Sequence, residues 1–347
     1  MKILGIESSC DETAFAIISA DIIANGQFNN KKLLSNVVFS QIEEHKKFGG
    51  VFPEIASRLH LDAVSPAFKM ALEEAQIDLS EIDAVAATCG PGLIGSLVVG
   101  ASFGKALAVF LGKPFIPVNH LIGHAMMPRF LYDELELPYL LVLASGGHSL
   151  IGVLKTPFEF EKFGATIDDS AGECFDKVAR MIGLSYPGGP NIEKCARNGD
   201  STRFNFPIPL NDRGCNFSFS GLKTAVLNVC NKCVEINETL RNDIAASFQK
   251  TVSNVFQKKI KNAITIMKQK YPNIKSVVFS GGVAANRYIA GSVKKVVENA
   301  GFNFYVPDIK MCTDNAVMIA WSAFEMLSLN QELNDLRTDI LEDNVFI

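Results

Sequence analysis

The stretch Ile3–Ala20, "ILGIESSCDETAFAIISA", decides the fold. An apolar run, a polar turn from Ser8 to Thr13 and a second apolar run make a β-hairpin whose turn carries hydroxyls and carboxylates. The pattern returns at Tyr139–Leu154, "YLLVLASGGHSLIGVL", with Ser145, Gly146, Gly147 and His148 in the turn. Turns of this kind present backbone N–H groups and hydroxyls to a phosphate. Two further stretches also pair. Ala84–Asn119, "AVAATCGPGLIGSLVVGASFGKALAVFLGKPFIPVN", and Ser276–Asp308, "SVVFSGGVAANRYIAGSVKKVVENAGFNFYVPD", both read apolar strand, glycine turn, helix, glycine and a strand containing proline. The chain therefore looks like a diverged internal duplication of α/β class, each half a hairpin-led mixed sheet followed by β-Gly-α-β.

The duplication predicts an N-terminal lobe over residues 1–135, a C-terminal lobe over 136–330 and a tail over 331–347 expected to pack back on the first lobe. A helical insertion is expected over 158–273. A length of 347 residues suits two domains of roughly 150 residues each. With 48% apolar and 20% charged residues, the composition is that of a soluble globular protein. The most apolar helix candidate carries Lys105 in its interior, so no membrane span is expected; the start "MKILGIESS" has no signal-peptide pattern, which points to the cytoplasm. The eight cysteines form no dense framework and read as reduced thiols. Cys230 and Cys233 make a lone C-x-x-C on an apolar-periodic segment, read as helix neighbours ahead of a redox pair or half a zinc site.

A net charge of −4 supplies no basic field, so a nucleic-acid substrate would need a local patch or a partner protein. One candidate patch is Lys46, Lys47, Arg58 and His60 in "EEHKKFGGVFPEIASRLHLDA". Another is "QKKIKN" with "MKQK", whose plainer reading is a solvated helix face.

In "NHLIGHAMM", Asn119–Met127, His120 and His124 stand four residues apart, on one helix face and within reach of one metal ion. A zinc protease would carry Glu after the first histidine as general base; Leu121 stands there instead, which disfavours peptide hydrolysis. Asp314, in "CTDNAVMIA", holds the matching position past the second β-Gly-α-β unit. It reads either as the N-cap of an apolar helix or as a third ligand facing the histidines from the opposite lobe. The double-glycine turns of "SGGHS" and "SGGVAANR" would let backbone N–H groups approach a nucleotide, with Asn286 offering an amide and Asp176 and Gly189 offering ribose contacts. Neither a P-loop nor a G-x-G-x-x-G fingerprint is present.

Taken in order, "GIESSCDET", "GGVFPEIASRLH", "GPGLIGSL", "NHLIGH", "SGGHS", "DDSAGECFDK", "YPGGP", "FSFSGLKTA", "SGGVAANR" and "TDNAVMIA" resemble the tRNA N6-adenosine threonylcarbamoyltransferase family, TsaD in bacteria and formerly labelled a glycoprotease. The resemblance implies the duplicated actin-like ATPase architecture, two ribonuclease-H-like lobes around a central cleft. It implies a divalent metal, iron first and zinc also compatible, on His120, His124 and Asp314. It places an adenylate on Leu143, Ala144, Ser145, Gly146, Gly147, Asp176, Gly189 and Asn286, with Asp11 and Glu12 as catalytic carboxylates near its phosphate or carbamoyl group. The implied reaction moves a threonylcarbamoyl group from L-threonylcarbamoyl-adenylate to the exocyclic amine of the adenosine beside the anticodon, in tRNAs reading ANN codons, with release of AMP. The implied partners are tRNA, a smaller paralogous subunit (TsaB-like) and a P-loop ATPase (TsaE-like). A competing reading is an ATPase, sugar kinase or regulatory nucleotide-binding subunit of the same fold.

Overall fold

The computed structural model describes residues 1–23, 27–211, 214–329 and 333–342. They form two compact units, Met1–Glu134 with Asp314–Ile347, and Leu135–Thr313.

The first unit is built on a five-stranded sheet of β1 (Lys2–Glu7), β2 (Glu12–Ile22), β3 (Phe28–Ser40), β4 (Ala84–Gly90) and β5 (Phe115–Asn119), in the order β3-β2-β1-β4-β5. β1 lies antiparallel to β2, as a hairpin requires, and parallel to β4. The second unit repeats this order with β6 (Tyr139–Ala144), β7 (Ser149–Thr156), β8 (Glu159–Ala165), β9 (Ser276–Ser280) and β10 (Asn303–Tyr305), arranged β10-β9-β6-β7-β8. The duplication read from the sequence is thus present strand for strand, down to one third antiparallel strand per unit.

Those third strands, β3 and β8, are absent from the hairpin reading. Each is an edge strand with an alternating, partly exposed and charged sequence, so its apolar signal is weak. β8 also means that the insertion expected from residue 158 begins with a sheet strand and turns helical only at the helix Ala171–Met181.

A second difference concerns the lobe boundary. The helix Ala316–Ser328 belongs to the first unit, not to the second as a boundary at 330 implies. The cause lies in β1: a Cβ on Gly5 would stand 2.4 Å from the Ala316 carbonyl oxygen and 2.7 Å from the Ala320 nitrogen, so the helix backbone rests directly on the strand. Gly5→Ala should therefore force the helix off the sheet and cost about 3 kcal/mol, the upper end for overpacking against a neighbour that cannot rotate away. An unchanged urea midpoint in that variant would contradict this contact. Within residues 333–342 the tail runs along the same unit: Leu341 donates its N–H to the Cys89 carbonyl at 3.0 Å and Asp335 donates to the Phe115 carbonyl at 3.1 Å. The remaining tail residues, 331, 332 and 343–347, lie outside the described ones.

The helix Ile94–Leu111 is long and apolar enough to cross a membrane. It buries Ser96, Leu97, Gly100, Ala101, Gly104 and Ala108 at helical spacing against its own unit, and Lys105 donates to the Thr338 carbonyl at 2.7 Å. That is the pattern of a packed sheet-covering helix.

Candidate active site

The chain leaves β5 at Asn119, whose side-chain oxygen accepts from the N–H groups of Leu121 and Ile122 at 2.9 and 3.3 Å. This cap starts the helix His120–Leu131 with His120 as its first residue and His124 one turn later. The two imidazoles lie 4.8 Å apart between centroids and nearly perpendicular. Asp314 meets them from the loop before Ala316–Ser328, its Oδ1 2.9 Å from His124 Nε2 and 3.7 Å from His120 Nε2. Bonds of about 2.1 Å at a tetrahedral angle would put ligand atoms ~3.4 Å apart, inside that range. Among the described residues these three form a group able to hold a metal ion, with one donor atom of each within 4.8 Å of the others.

Two sequence expectations change here. Asp314 does not cap the helix; Asn315 does, accepting from the Met318 N–H at 3.1 Å. Nor does Asp314 come from the other half: it lies in the same unit as the histidines, because the helix that follows it is anchored on Gly5.

Around the three donors stand more carboxylates. Glu7, fully buried at the end of β1, accepts from the Ser9 N–H at 2.6 Å and from Thr88 Oγ1 at 2.6 Å, and its Oε2 lies 3.1 Å from His120 Nδ1. Burial alone would push Glu7 up, yet the facing His120 ring holds it below the usual carboxylate range. Burial and the neighbouring carboxylates of Asp11 and Asp314 push Glu12 well above that range. For His120 burial disfavours the charged ring, but Asp314 and Glu7 together outweigh it and hold the ring up to about 9.

That shift has a direction that can be measured. Because its folded value is raised from 6.5 to about 9, His120 stabilises the chelator-treated protein fully below pH 6.5, and the contribution is lost as pH rises through 9. The urea midpoint of wild type should fall across that window relative to His120→Gln; parallel profiles would contradict it.

In the second unit, β6 and β9 are parallel neighbours, with Leu143 opposite Ser280, so the turns after them start side by side. In the first, Ser145 donates its N–H to the His148 carbonyl at 2.7 Å and Ser170 Oγ donates to the Gly146 carbonyl, tying the turn to the start of the helix Ala171–Met181. In the second, Gly281 has φ +90°, and a Cβ there would meet the Ala144 carbonyl oxygen at 2.5 Å. Gly146, Gly147, Gly189 and Gly282 differ: a Cβ on any of them would meet nothing within 4 Å, so the protein's own packing leaves the space beside them open. Asp176 accepts from the Gly188 N–H at 2.6 Å and so fixes the turn that presents Gly189. Asn286 is more occupied than its sequence suggests: Oδ1 caps the helix Arg287–Asn299 through Ile289 N–H at 3.0 Å, and Nδ2 donates to Gln249 Oε1 at 2.8 Å.

Part of each basic candidate is engaged within the chain, while Arg58, Lys261 and Lys268 are exposed. Lys46 and Lys47 pair with Glu43 and Glu44, His60 is buried, and Lys259 of "QKKIKN" is buried with Nζ donating to the Leu210 and Gly214 carbonyls at 2.6 and 3.2 Å. Cys230 ends the helix Ser220–Cys230 and Cys233 closes the following turn on it, its N–H donating to the Cys230 carbonyl at 3.1 Å.

A family model described as tRNA N6-adenosine threonylcarbamoyltransferase matches residues 32–321. A protein of that name from Thermosipho africanus is 48% identical over 327 residues, 94% of this chain and 94% of the relative. Another from Chelativorans sp. is 46% identical over 336 residues, 95% of this chain and 91% of the relative. Among solved structures, HypF of T. kodakarensis superposes with a TM-score of 0.60 at 16% identity, covering 95% of this chain and 47% of that one. The activator of 2-hydroxyisocaproyl-CoA dehydratase from Clostridium difficile, solved with bound ADPNP, gives a TM-score of 0.52 at 15% identity, covering 97% of this chain and 100% of that one. These two structural likenesses concern the fold, in keeping with the actin-like architecture that the family resemblance implies.

Proposed function

Since the chain is an acyltransferase belonging to the tRNA N6-adenosine threonylcarbamoyltransferase family, we propose that it moves the threonylcarbamoyl group of L-threonylcarbamoyl-adenylate to the exocyclic amine of the adenosine beside the anticodon, in tRNAs reading ANN codons, and releases AMP. The observation that carries this reading is the His120–His124–Asp314 group, since a kinase of this fold would use a carboxylate near the γ-phosphate but no pair of histidines for a metal.

AMP is a good leaving group, so the work is to hold two reactants and to steady the charge that grows on the carbonyl oxygen. A divalent metal on His120, His124 and Asp314, iron in preference to zinc, would supply Lewis-acid stabilisation of that charge. The chain's own residues do the rest. Glu12, pushed toward its protonated form by burial and the neighbouring carboxylates, donates a hydrogen bond to the phosphate or the carbamoyl oxygen. Asp11 receives the proton lost by the attacking amine. The turn Leu143 to Gly147 and the open Gly147 and Gly189 positions seat the adenylate, with Asp176 and Asn286 fixing the surrounding backbone.

The tRNA is held with partners, because the net charge of −4 supplies no basic field and Lys46, Lys47 and Lys259 are already engaged within the chain. A smaller paralogous subunit would cover the exposed apolar positions of Ile94–Leu111 and Pro53–Ala75, among them Phe110 at 78%, Val109 at 63% and Leu61 at 62% exposure. A P-loop ATPase would reset the complex, and the setting is the cytoplasm. Purified chain, the paralogous subunit, the ATPase, tRNA, ATP, threonine, bicarbonate and the adenylate-forming enzyme should yield threonylcarbamoyl-adenosine in digested tRNA. ATP hydrolysis without the modified nucleoside would favour the kinase or ATPase reading.

A further inference from the structure

We propose that Glu7 is a positioning residue for the metal centre: it accepts the Nδ1 proton of His120, fixes that tautomer, and so keeps Nε2 turned toward the metal position beside Asp314. The inference rests on the metal reading above and deepens it. Metal-binding histidines depend on such an acceptor, which orients the ring and raises the basicity of the ligating nitrogen.

Three features single out Glu7. It follows the buried apolar residues Ile3 to Ile6 of β1, where a carboxylate persists only if its oxygens are satisfied. Its two oxygens divide between two tasks: Oε1 takes the Ser9 N–H at 2.6 Å, while Oε2 takes the Thr88 hydroxyl at 2.6 Å and faces His120 Nδ1 at 3.1 Å. Ser9 lies at the start of the turn that carries Asp11 and Glu12, so a single carboxylate sets both the ring of a metal ligand and the backbone of the catalytic turn. The Ser9 hydroxyl, 3.1 Å from the same Nδ1, is the other polar group there, and as a donor it would favour the opposite tautomer; Glu7 decides which is adopted.

Glu7→Gln keeps the shape and inverts this choice. An amide has one acceptor and one donor end. With its oxygen on Ser9 N–H, its NH2 faces His120 Nδ1 and drives the ring proton to Nε2, the atom that should bind metal. Co2+ serves as the spectroscopic probe in the full-length protein. Wild type should bind it and show a slowly exchanging, hyperfine-shifted ring N–H from His120; Glu7→Gln should bind roughly 10- to 100-fold more weakly and lose that signal. A merely structural role would lower the unfolding midpoint while leaving Co2+ affinity of the folded protein unchanged, and that result would overturn the proposal. Should Glu7→Gln not fold, the wild-type spectrum decides alone, since a His120 proton on Nε2 or a rapidly exchanging Nδ1 proton overturns it too. Wild type that takes up no Co2+ would sink the metal centre itself, a distinct failure.

Discussion

Asp314→Ala should reduce threonylcarbamoyl transfer by about 100- to 1000-fold and weaken metal binding, while the protein still folds, its urea midpoint lowered only by the lost attraction to the histidines. The size follows from losing the one anionic donor of the group: Lewis-acid stabilisation is worth several kcal/mol, and about 1.4 kcal/mol corresponds to tenfold in rate. The retained stability follows from the local structure. The helix N-cap is Asn315, whose side chain accepts from Met318 N–H at 3.1 Å, so the neighbouring aspartate is not needed to start the helix. The helix itself is held by its contact on Gly5 and by a buried bidentate pair, Arg129 Nε and Nη2 donating to Glu325 at 2.7 and 3.2 Å. A variant that loses activity only in proportion to lost folded protein would show that Asp314 has a structural role after all.

Gly147→Val should be the complementary lesion in the second unit. Because a Cβ at Gly147 meets nothing within 4 Å, the folded chain has room for the larger side chain. An adenylate seated on this turn has not, and overpacking of 1–3 kcal/mol or more weakens binding by roughly 100-fold at the upper end. Calorimetry of a non-hydrolysable adenylate against wild type and Gly147→Val measures this, and equal affinities would move the nucleotide elsewhere. Gly281 makes a useful contrast: its φ of +90° and its close approach to Ala144 serve the protein's own packing, so Gly281→Ala should damage stability and nucleotide binding together.

How much of this was legible in the sequence depended on the kind of signal each residue leaves. Central strands β1, β4, β6 and β9 are apolar along their length, so the duplication could be read directly. Edge strands β3 and β8 alternate with charged residues and leave little trace. The His pair is visible because a helix repeats every three to four residues, and the relation of Asp314 to it is visible through the repeat. What the repeat could not convey is that the last helix crosses back to the first unit, since that depends on a single missing Cβ at Gly5. The N-cap went to Asn315 instead of its neighbour for a similar reason: adjacent Asp and Asn are both good caps, and only the backbone chooses. Glu7 was readable in hindsight as a carboxylate ending an apolar strand, but its partners Thr88 and His120 lie far away in the chain. In the basic segments the sequence does not show that Lys46 and Lys47 face i,i+3 acids and that Lys259 is buried on backbone carbonyls.

Under the proposed function, this chain transfers a threonylcarbamoyl group with a metal held by His120, His124 and Asp314. Single-turnover transfer from preformed L-threonylcarbamoyl-adenylate to tRNA, by the complex assembled with chelator-treated chain and again after reloading with Fe2+, tests it most directly. Threonylcarbamoyl-adenosine and one AMP per event should form only after reloading, and none with His124→Ala under the same treatment. Transfer at the same rate before and after reloading, or undiminished in His124→Ala, would contradict it.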